Sequence, residues 1–307
     1  FTAPRRDDDA FASYKNRSKA ELQNMDLNPS SSFSDSITST LYSKHPRTLR
    51  MKADMVDKMN YDKILSMYQD RFKDASDFTF ILVGNVDVEA VKPLIESYLG
   101  SLPSINRKET FKDNHIAMRK GICKNEFIRQ QETPKVNNFI CYSGTCKYNL
   151  RNEILMSMTD QLLNFIYTEK VREDEGGTYG VYPMGQLIKY PTEKAVLQIF
   201  FNTAPDKQEK LIKIIYDEAE AFAKNGPDEA SLNKVKEYML KKHSEDLKEN
   251  GYWLNSIDEY LYTGIDPVKD YEQIINSITP KDVQQFANEL LKQKNQITVS
   301  MISPEKK

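Results

Sequence analysis

Two strand-like segments follow one another in the second half of the chain, and they constrain the fold more than any other feature. Residues 178–187 and 194–202 are rich in β-branched and aromatic residues, with period-two alternation in the second. Because only a turn around Tyr190-Pro191 separates them, we expect them to pair antiparallel. The chain is then helical in pattern until a closing strand at residues 297–302. We therefore predict an α+β fold, with a mixed, mainly antiparallel sheet and helices packed on one face.

Three further segments have strand patterns. Residues 122–128 and 136–142 are each of strand length, and we predict a strand in both. Residues 78–83 are almost continuously apolar, which predicts a central strand, and Gly84-Asn85 ends it. A helical pattern begins after Asp87, so this region predicts a strand–turn–helix unit.

Histidine content limits the chemistry available to this chain. His45, His115 and His243 are far apart, so no helical two-histidine metal site can be written, and we predict no metal ligands. His45 and His243 fit surface positions. The balance of 43 Lys and Arg against 45 Asp and Glu gives a net charge of −2. This balance gives no reason to expect a nucleic acid or an anionic membrane as partner.

The chain also lacks the sequence signs of membrane insertion. No apolar run of about 18 residues occurs, so we predict no membrane span. The sequence opens at Phe1 without an initiator methionine or a signal-type apolar region, which is typical of a mature or excised piece. The three cysteines do not form a disulfide framework.

The segment from Arg172 to Tyr179 is the strongest candidate for chemistry. An arginine at the end of a helix and a tyrosine at the start of a strand supply hydrogen-bond donors that could hold a peptide carbonyl or an oxyanion. The alternative is structural: a cation on the helix dipole, followed by a turn at Gly176-Gly177. The residues alone favour this alternative. A separate aromatic stretch fits a role in packing better than a role in ligand binding. It comprises Tyr252, Trp253, Tyr260 and Tyr262.

Arg172 and Tyr179, with the acids and glycines between them, resemble a signature of the insulinase/pitrilysin-type zinc peptidases, the enzymes with an inverted H-x-x-E-H motif. Residues 68–72, 78–85 and 98–103 look like the family's junction between successive homologous domains. Residues 248–253 are similar to the two-half bacterial zinc proteases. The resemblance extends over about residues 58–307, with its pieces in the family's order.

This resemblance implies a domain organisation and a division of labour. Residues 77–307 would form one complete domain, and residues 1–76 the helical end of a preceding homologous domain. The chain contains no H-x-x-E-H motif, so zinc and its water-activating glutamate are expected in a missing N-terminal half. The chain would be the non-catalytic C-terminal half, inactive alone. Its partners would be that N-terminal half and a peptide or unfolded protein, which the two halves would enclose.

Within the resemblance, Arg172 would bind a substrate carbonyl near the scissile bond, and Tyr179 would donate a hydrogen bond to the tetrahedral oxyanion. The two-half relatives also imply a periplasmic location. One alternative is a catalytically dead family member that serves as a peptide-binding or scaffold subunit. Another is an unrelated α+β interaction module.

Overall fold

The structure is a computed structural model that describes residues 1, 3–173, 176, 178 and 180–304. The chain divides into two compact units. Unit 1 comprises residues 1–31 and 50–115, and unit 2 comprises residues 32–49 and the chain from residue 116 onward.

Helices account for most of the described chain. In chain order they are α1 (Asp8–Leu27), α2 (Pro29–Leu41), α3 (Ala53–Asp57), α4 (Tyr61–Phe72), α5 (Val88–Tyr98), α6 (Leu150–Tyr167), α7 (Gln208–Asn225), α8 (Glu229–Asp246), α9 (Asn250–Thr263), α10 (Tyr271–Ser277) and α11 (Pro280–Leu291). The strands are β1 (Ile122–Ile128), β2 (Lys135–Thr145), β3 (Val181–Ile188), β4 (Lys194–Thr203) and β5 (Gln296–Ser303).

Unit 1 is helical, and three of its described helices, α1, α4 and α5, begin at side chains that bind free backbone N–H groups. The carboxylate of Asp7 accepts from the backbone N–H of Ala10 at the start of α1. Asp87 plays the same part at α5, as predicted. Asp74 is buried and accepts from the backbone N–H groups of Ile105 and Arg107, which ties the segment after α5 to the end of α4.

The described strands of unit 2 form one five-stranded sheet in the order β1-β5-β2-β4-β3. Strands β1 and β5 pair parallel, and the other three pairs are antiparallel. The prediction of a mixed, mainly antiparallel α+β sheet is therefore confirmed, including the antiparallel β3–β4 pair. Strand β3 lies at one edge of the sheet and β1 at the other.

Most of the apolar side chains of the sheet face the helices. Ile140, Leu197 and Ile199 belong to a large core shared with α6, α7, α8 and α11. A smaller cluster lies on the other face, where Phe139 and Val299 pack with Leu41 of α2. Strand β2 is thus buried on both faces, in keeping with the apolar run at Phe139–Tyr142.

One predicted strand does not form. Residues 78–83 have no strand assignment, and none of the described strands pairs with them. The apolar run has a high β propensity. A strand also needs a neighbouring strand whose backbone forms hydrogen bonds with its N–H and C=O groups. Phe80 and Leu82 are exposed.

A helix followed by an apolar run also occurs near the end of the chain, at α11 and β5. Residues 60–84 align with residues 279–303 without insertion or deletion, so that α4 corresponds to α11 and residues 77–84 correspond to β5. Each helix starts at a polar N-cap, Asn60 in the first copy and Thr279 in the second. The second copy belongs to the complete sheet.

The two copies differ in burial. Val283 and Phe286 of α11 are 0% and 8% exposed, while their counterparts in α4, Ile64 and Met67, are 42% and 60% exposed. Met301 of β5 is fully buried, and its counterpart Leu82 is 53% exposed. Unit 1 therefore exposes apolar side chains whose counterparts in unit 2 are buried. We call residues 60–84 the bare copy.

Gly185 allows a close contact between β3 and α6. A Cβ atom at this position would lie 2.4 Å from Met156 Sδ and 2.7 Å from its Cγ. We expect Gly185→Ala to destabilise the protein by about 1–3 kcal/mol through overpacking. Gly251, near the start of α9, has open space at the same position. Gly251→Ala should be neutral or stabilising by about 0.5–1 kcal/mol.

Urea unfolding of the two variants checks this expectation. Equal midpoints for both variants would show that the contact of Gly185 with Met156 relaxes freely.

Candidate functional site

The backbone around the Arg172–Tyr179 segment is anchored on both sides. Helix α6 continues as a π-helical turn over Thr168–Glu173, an arrangement that is frequent at functional sites. Val171 in this turn is buried, as is Val181 at the start of β3. The side chain of Arg172 and the whole of Tyr179 lie outside the described residues. The proposed pairing of these two side chains therefore remains a prediction.

The predicted glycine turn is described in part. Gly176 has φ of +57°, in the left-handed region that favours glycine, and no atom lies within 4 Å of an added Cβ. Gly177 lies outside the described residues. Thr178 follows, and its Oγ1 accepts a hydrogen bond from the backbone N–H of Gly180 at 3.2 Å.

A groove of about 1150 Å³ opens between α6, β3, α8 and α9. Asn164 and Phe165, on the last turns of α6, line it, as does Tyr182, the second residue of β3. Phe165 lies seven residues before Arg172 in the chain and Tyr182 three residues after Tyr179, so the elements that flank this segment in the chain also line the groove. Peptide-binding sites are concave and largely apolar with a few polar groups, so the groove is the candidate site.

The groove presents exposed apolar and aromatic side chains to solvent. Phe165, Tyr182, Met184 and Tyr238 are all at least partly exposed and line it. Aromatic rings supply large contact areas at low entropic cost, which suits the binding of an irregular chain.

Polar side chains line the α6 wall. Glu153, Ser157, Asp160 and Gln161 share one helix face with Asn164, while Ile154, Leu155 and Met158 point into the core. Helix α6 therefore carries a polar stripe beside its buried apolar stripe. This polar stripe is a sequence signal for the groove, and it was not among the sequence predictions.

Edge strand β3 has little capacity to accept another strand at its centre. The backbone N–H of Gly185 donates to Asp160 Oδ2 at 3.0 Å, and Pro183 has no N–H. The backbone N–H groups of a strand point alternately to its two sides. The N–H positions of residues 183 and 185 therefore lie on the same edge of β3. A bound peptide therefore depends on side-chain contacts in this part of the groove.

Burial raises the pKa values of two acidic side chains on the α6 wall. It raises the pKa of Asp160 to about 6, against the opposing effect of hydrogen bonds from the backbone N–H groups of Gly185 and Gln161. Burial also raises the pKa of Glu153 to about 7, and the nearby carboxyl group of Glu259 adds to this effect. The hydroxyl of Tyr148 donates to Glu259 Oε1 at 2.9 Å.

His243 corrects one sequence expectation. It was predicted at the surface, but it is 6% exposed and contributes to the groove lining. Its ring stacks on Tyr271 at 4.3 Å between centroids, and its Nδ1 lies 3.2 Å from the hydroxyl of Tyr252. The flanking lysines suggested exposure, but α9 and α10 cover this face of α8.

The aromatic stretch of α9 also differs from expectation. Trp253, Tyr260 and Tyr262 were predicted to be packing residues, yet all three are exposed. Tyr252 is half-buried and lines the groove.

The described residues contain no group of three His, Cys, Asp or Glu side chains that could hold a metal ion. Within the same part of the chain, no helix is long and apolar enough to cross a membrane.

Comparison with protein families identifies the class. Residues 58–239 match the model of the peptidase M16 inactive domain, and the chain belongs to this family. The resemblance to insulinase/pitrilysin-type zinc peptidases is thereby confirmed, and so is the fold that it implied.

Two curated proteins are similar to this chain in sequence. The probable zinc protease PqqL of Escherichia coli K12 is 21% identical over 294 residues, which cover 92% of this chain and 30% of PqqL. A PQQL-like zinc protease of Arabidopsis thaliana is 24% identical over 217 residues, covering 64% of this chain and 22% of that protein. The chain thus spans less than a third of the length of these relatives.

The chain is also similar to solved protein structures. The crystal structure of the periplasmic protease PqqL from Escherichia coli gives a TM-score of 0.81 at 18% identity and covers 97% of this chain and 33% of that chain. The first half of PqqL alone gives a TM-score of 0.74 at 16% identity, with 94% and 65% covered.

The raised pKa of Glu153 predicts a pH dependence of stability. The folded state favours the neutral acid, so folding stability is lost as pH rises from the unfolded pKa, near 4.5, through about 7. Because the groove is open to water, which screens the charge, we expect a loss of about 1–2 kcal/mol. Glu153→Gln should remove this part of the pH dependence.

Urea unfolding at several pH values measures the effect. Glu237→Gln, at an exposed position of α8, is the matched control and should leave the pH profile unchanged. Identical profiles for the Glu153 variant and wild type would contradict the assignment.

Proposed function

We propose that this chain is a substrate-binding, non-catalytic part of a zinc metalloendopeptidase of the insulinase/pitrilysin type, and that its groove holds the peptide. The observation that carries the proposal is the groove itself, which is lined by residues of α6 and β3, the elements that precede and follow the Arg172–Tyr179 segment in the chain. Membership of the M16 inactive-domain family supports a role without catalysis in this chain.

The part of the chain that the structure describes offers no site for zinc. His243 is held between two tyrosines, and the described residues offer no metal cluster. We propose that zinc-dependent hydrolysis takes place in an N-terminal half of the same protein, and that this chain helps to enclose and orient the substrate. The similarity to periplasmic PqqL supports a periplasmic location for the whole protein.

We propose specific roles for the two signature residues. Arg172, with its planar set of donors, would bind a carbonyl oxygen of the peptide near the scissile bond. Tyr179, with a single O–H donor, would stabilise the oxyanion of the tetrahedral intermediate. Their positions between the buried Val171 and Val181 support this proposal, since both flanks of the segment are fixed.

Tyr179→Phe tests the role of the tyrosine. In an enzyme reconstituted from this chain and the zinc-binding half, loss of an oxyanion donor should lower kcat about 10²–10³-fold with a smaller effect on KM. Tyr182→Phe is the matched control, since Tyr182 lines the groove and is exposed. This chain alone should show no peptidase activity.

An unchanged kcat in Tyr179→Phe would assign Tyr179 to packing. Peptide binding without activity in the reconstituted protein would instead favour a catalytically dead, peptide-binding or scaffold subunit.

The bare copy supports the proposal of a partner half. In unit 2 the same helix–strand pattern is covered by α7 and paired with β1 and β2. We propose that residues 1–76 end a preceding homologous domain, as the resemblance implies. We also propose that residues 78–83 supply a strand to that domain, which places its boundary later than residue 77, within or after the part of unit 1 that extends to residue 115. The first half of PqqL has the same fold as this chain, which is consistent with such a repeat of domains.

Met67→Lys tests the proposed interface. Met67 corresponds to the buried Phe286, while the neighbouring Ser66 corresponds to the exposed Gln285. Met67→Lys should weaken association with the N-terminal half at least about tenfold, or about 1.4 kcal/mol, by placing a charge in an apolar interface.

Ser66→Lys on the same helix adds the same charge and should leave association unchanged. Calorimetric titration of the two halves gives the affinities. Equal affinity for both variants would show that the bare copy lies outside the interface.

A further inference from the structure

The hydroxyl of Thr178 bonds both backbone groups of the residue two positions later. Its Oγ1 accepts a hydrogen bond from the Gly180 N–H at 3.2 Å and donates one to the Gly180 C=O at 3.0 Å. A hydroxyl can do both at once, because it carries one donor and two acceptor sites. The pairing of β3 with β4 begins one residue further on, where Val181 pairs with Phe201. Thr178 therefore restrains the backbone of Gly180 just before the sheet pairing begins.

The backbone of Gly180 is also confined by an aromatic side chain. A Cβ atom at this position would lie 2.8 Å from Oη of Tyr182 and 2.9 Å from its Cζ, so the backbone of Gly180 packs closely against the phenol group. Val181, between these two residues, is buried in the large core. The contacts of Gly180 are thus anchored to the core through its neighbour in the chain.

The described glycine at the other end of the turn has more space. Gly176 adopts φ of +57°, and no atom lies within 4 Å of a Cβ placed there. Open space of this kind does not fix the residues that follow. Among the described residues of this segment, the close backbone restraint is the one between Thr178 and Gly180.

Tyr179 is the residue between Thr178 and Gly180 in the chain. In the proposed function its hydroxyl donates to an oxyanion, and such a donor must be held at about 3 Å from the atom on which the charge develops. A displacement of about 1 Å can cost about 10²-fold in rate. A side chain that bonds the backbone next to Tyr179 is therefore placed to control catalysis without touching the substrate.

We propose that Thr178 is a positioning residue for Tyr179. Its hydroxyl fixes the backbone next to the tyrosine, so that the tyrosine hydroxyl is directed at the oxyanion. The inference rests on the proposed function, in which Tyr179 is the oxyanion donor. Threonine suits this task better than serine, because its branched Cβ restricts rotation about χ1 and keeps the hydroxyl in place.

Steady-state kinetics of the enzyme reconstituted from this chain and the zinc-binding half test the proposal. Thr178→Val keeps the shape of the side chain but removes the hydroxyl. We expect kcat to fall about tenfold, while KM changes less than about twofold. Thr178→Ser restores the hydroxyl and should keep kcat within about threefold of the wild-type value.

A double-mutant cycle with Tyr179→Phe separates positioning from general stabilisation. Once the tyrosine hydroxyl is absent, no donor remains to be positioned, so Thr178→Val should then change kcat by less than about twofold. Gly180→Ala provides a second route, because its Cβ would collide with Tyr182 and displace residue 180. It should lower kcat about tenfold in the wild-type background and less than about twofold after Tyr179→Phe.

Each other outcome contradicts a defined part of the proposal. An unchanged kcat in Thr178→Val, with a lowered kcat in Tyr179→Phe, would reject the positioning role and keep the proposed function. Equal losses of kcat with and without the tyrosine hydroxyl would assign Thr178 to the stability of the turn. An unchanged kcat in Tyr179→Phe would reject the oxyanion role and the inference with it. If urea unfolding shows that Thr178→Val does not fold, the Gly180→Ala cycle decides alone.

Discussion

Helix α6 lies directly against the edge strand β3, and most features of the groove depend on this contact. Gly185 has no side chain, so Met156 of α6 occupies the space where a Cβ would stand. The same approach brings Asp160 within hydrogen-bond distance of the Gly185 N–H. It also fixes the buried Val171 and Val181 at the two ends of the signature segment. The contact between α6 and β3 therefore links the core to the groove. The geometry of the groove depends on how closely the core residues under it are packed.

Local sequence patterns were sufficient for the sheet of unit 2. Strand β1 has the predicted bounds, and the β3–β4 hairpin forms where two apolar runs follow one another. Buried strands leave a strong signal because β-branched and aromatic side chains fill both faces. The position of α2 on the opposite face of the sheet was not predictable, since it depends on contacts between residues far apart in sequence.

The groove was harder to predict for the same reason. Glu153 and Glu259 are brought together by the packing of α6 and α9, and no spacing in the sequence encodes that approach. His243 shows the related limit of judging burial from neighbouring residues, because two adjacent lysines do not reveal which face of α8 is covered. The family was recognised correctly from the order of its sequence patterns. The roles of Arg172 and Tyr179 stay predictions, because the geometry of these two side chains lies beyond the described residues.

The bare copy has a consequence for how the protein is made. Residues 78–83 are apolar, β-prone and without charge, and such runs associate with one another when their backbone groups are unpaired. A newly synthesised chain that exposes them is at risk of aggregation until a sheet accepts them. Synthesis of both halves as one polypeptide would keep the accepting sheet at high local concentration, so covalent linkage would protect the chain as well as arrange the site.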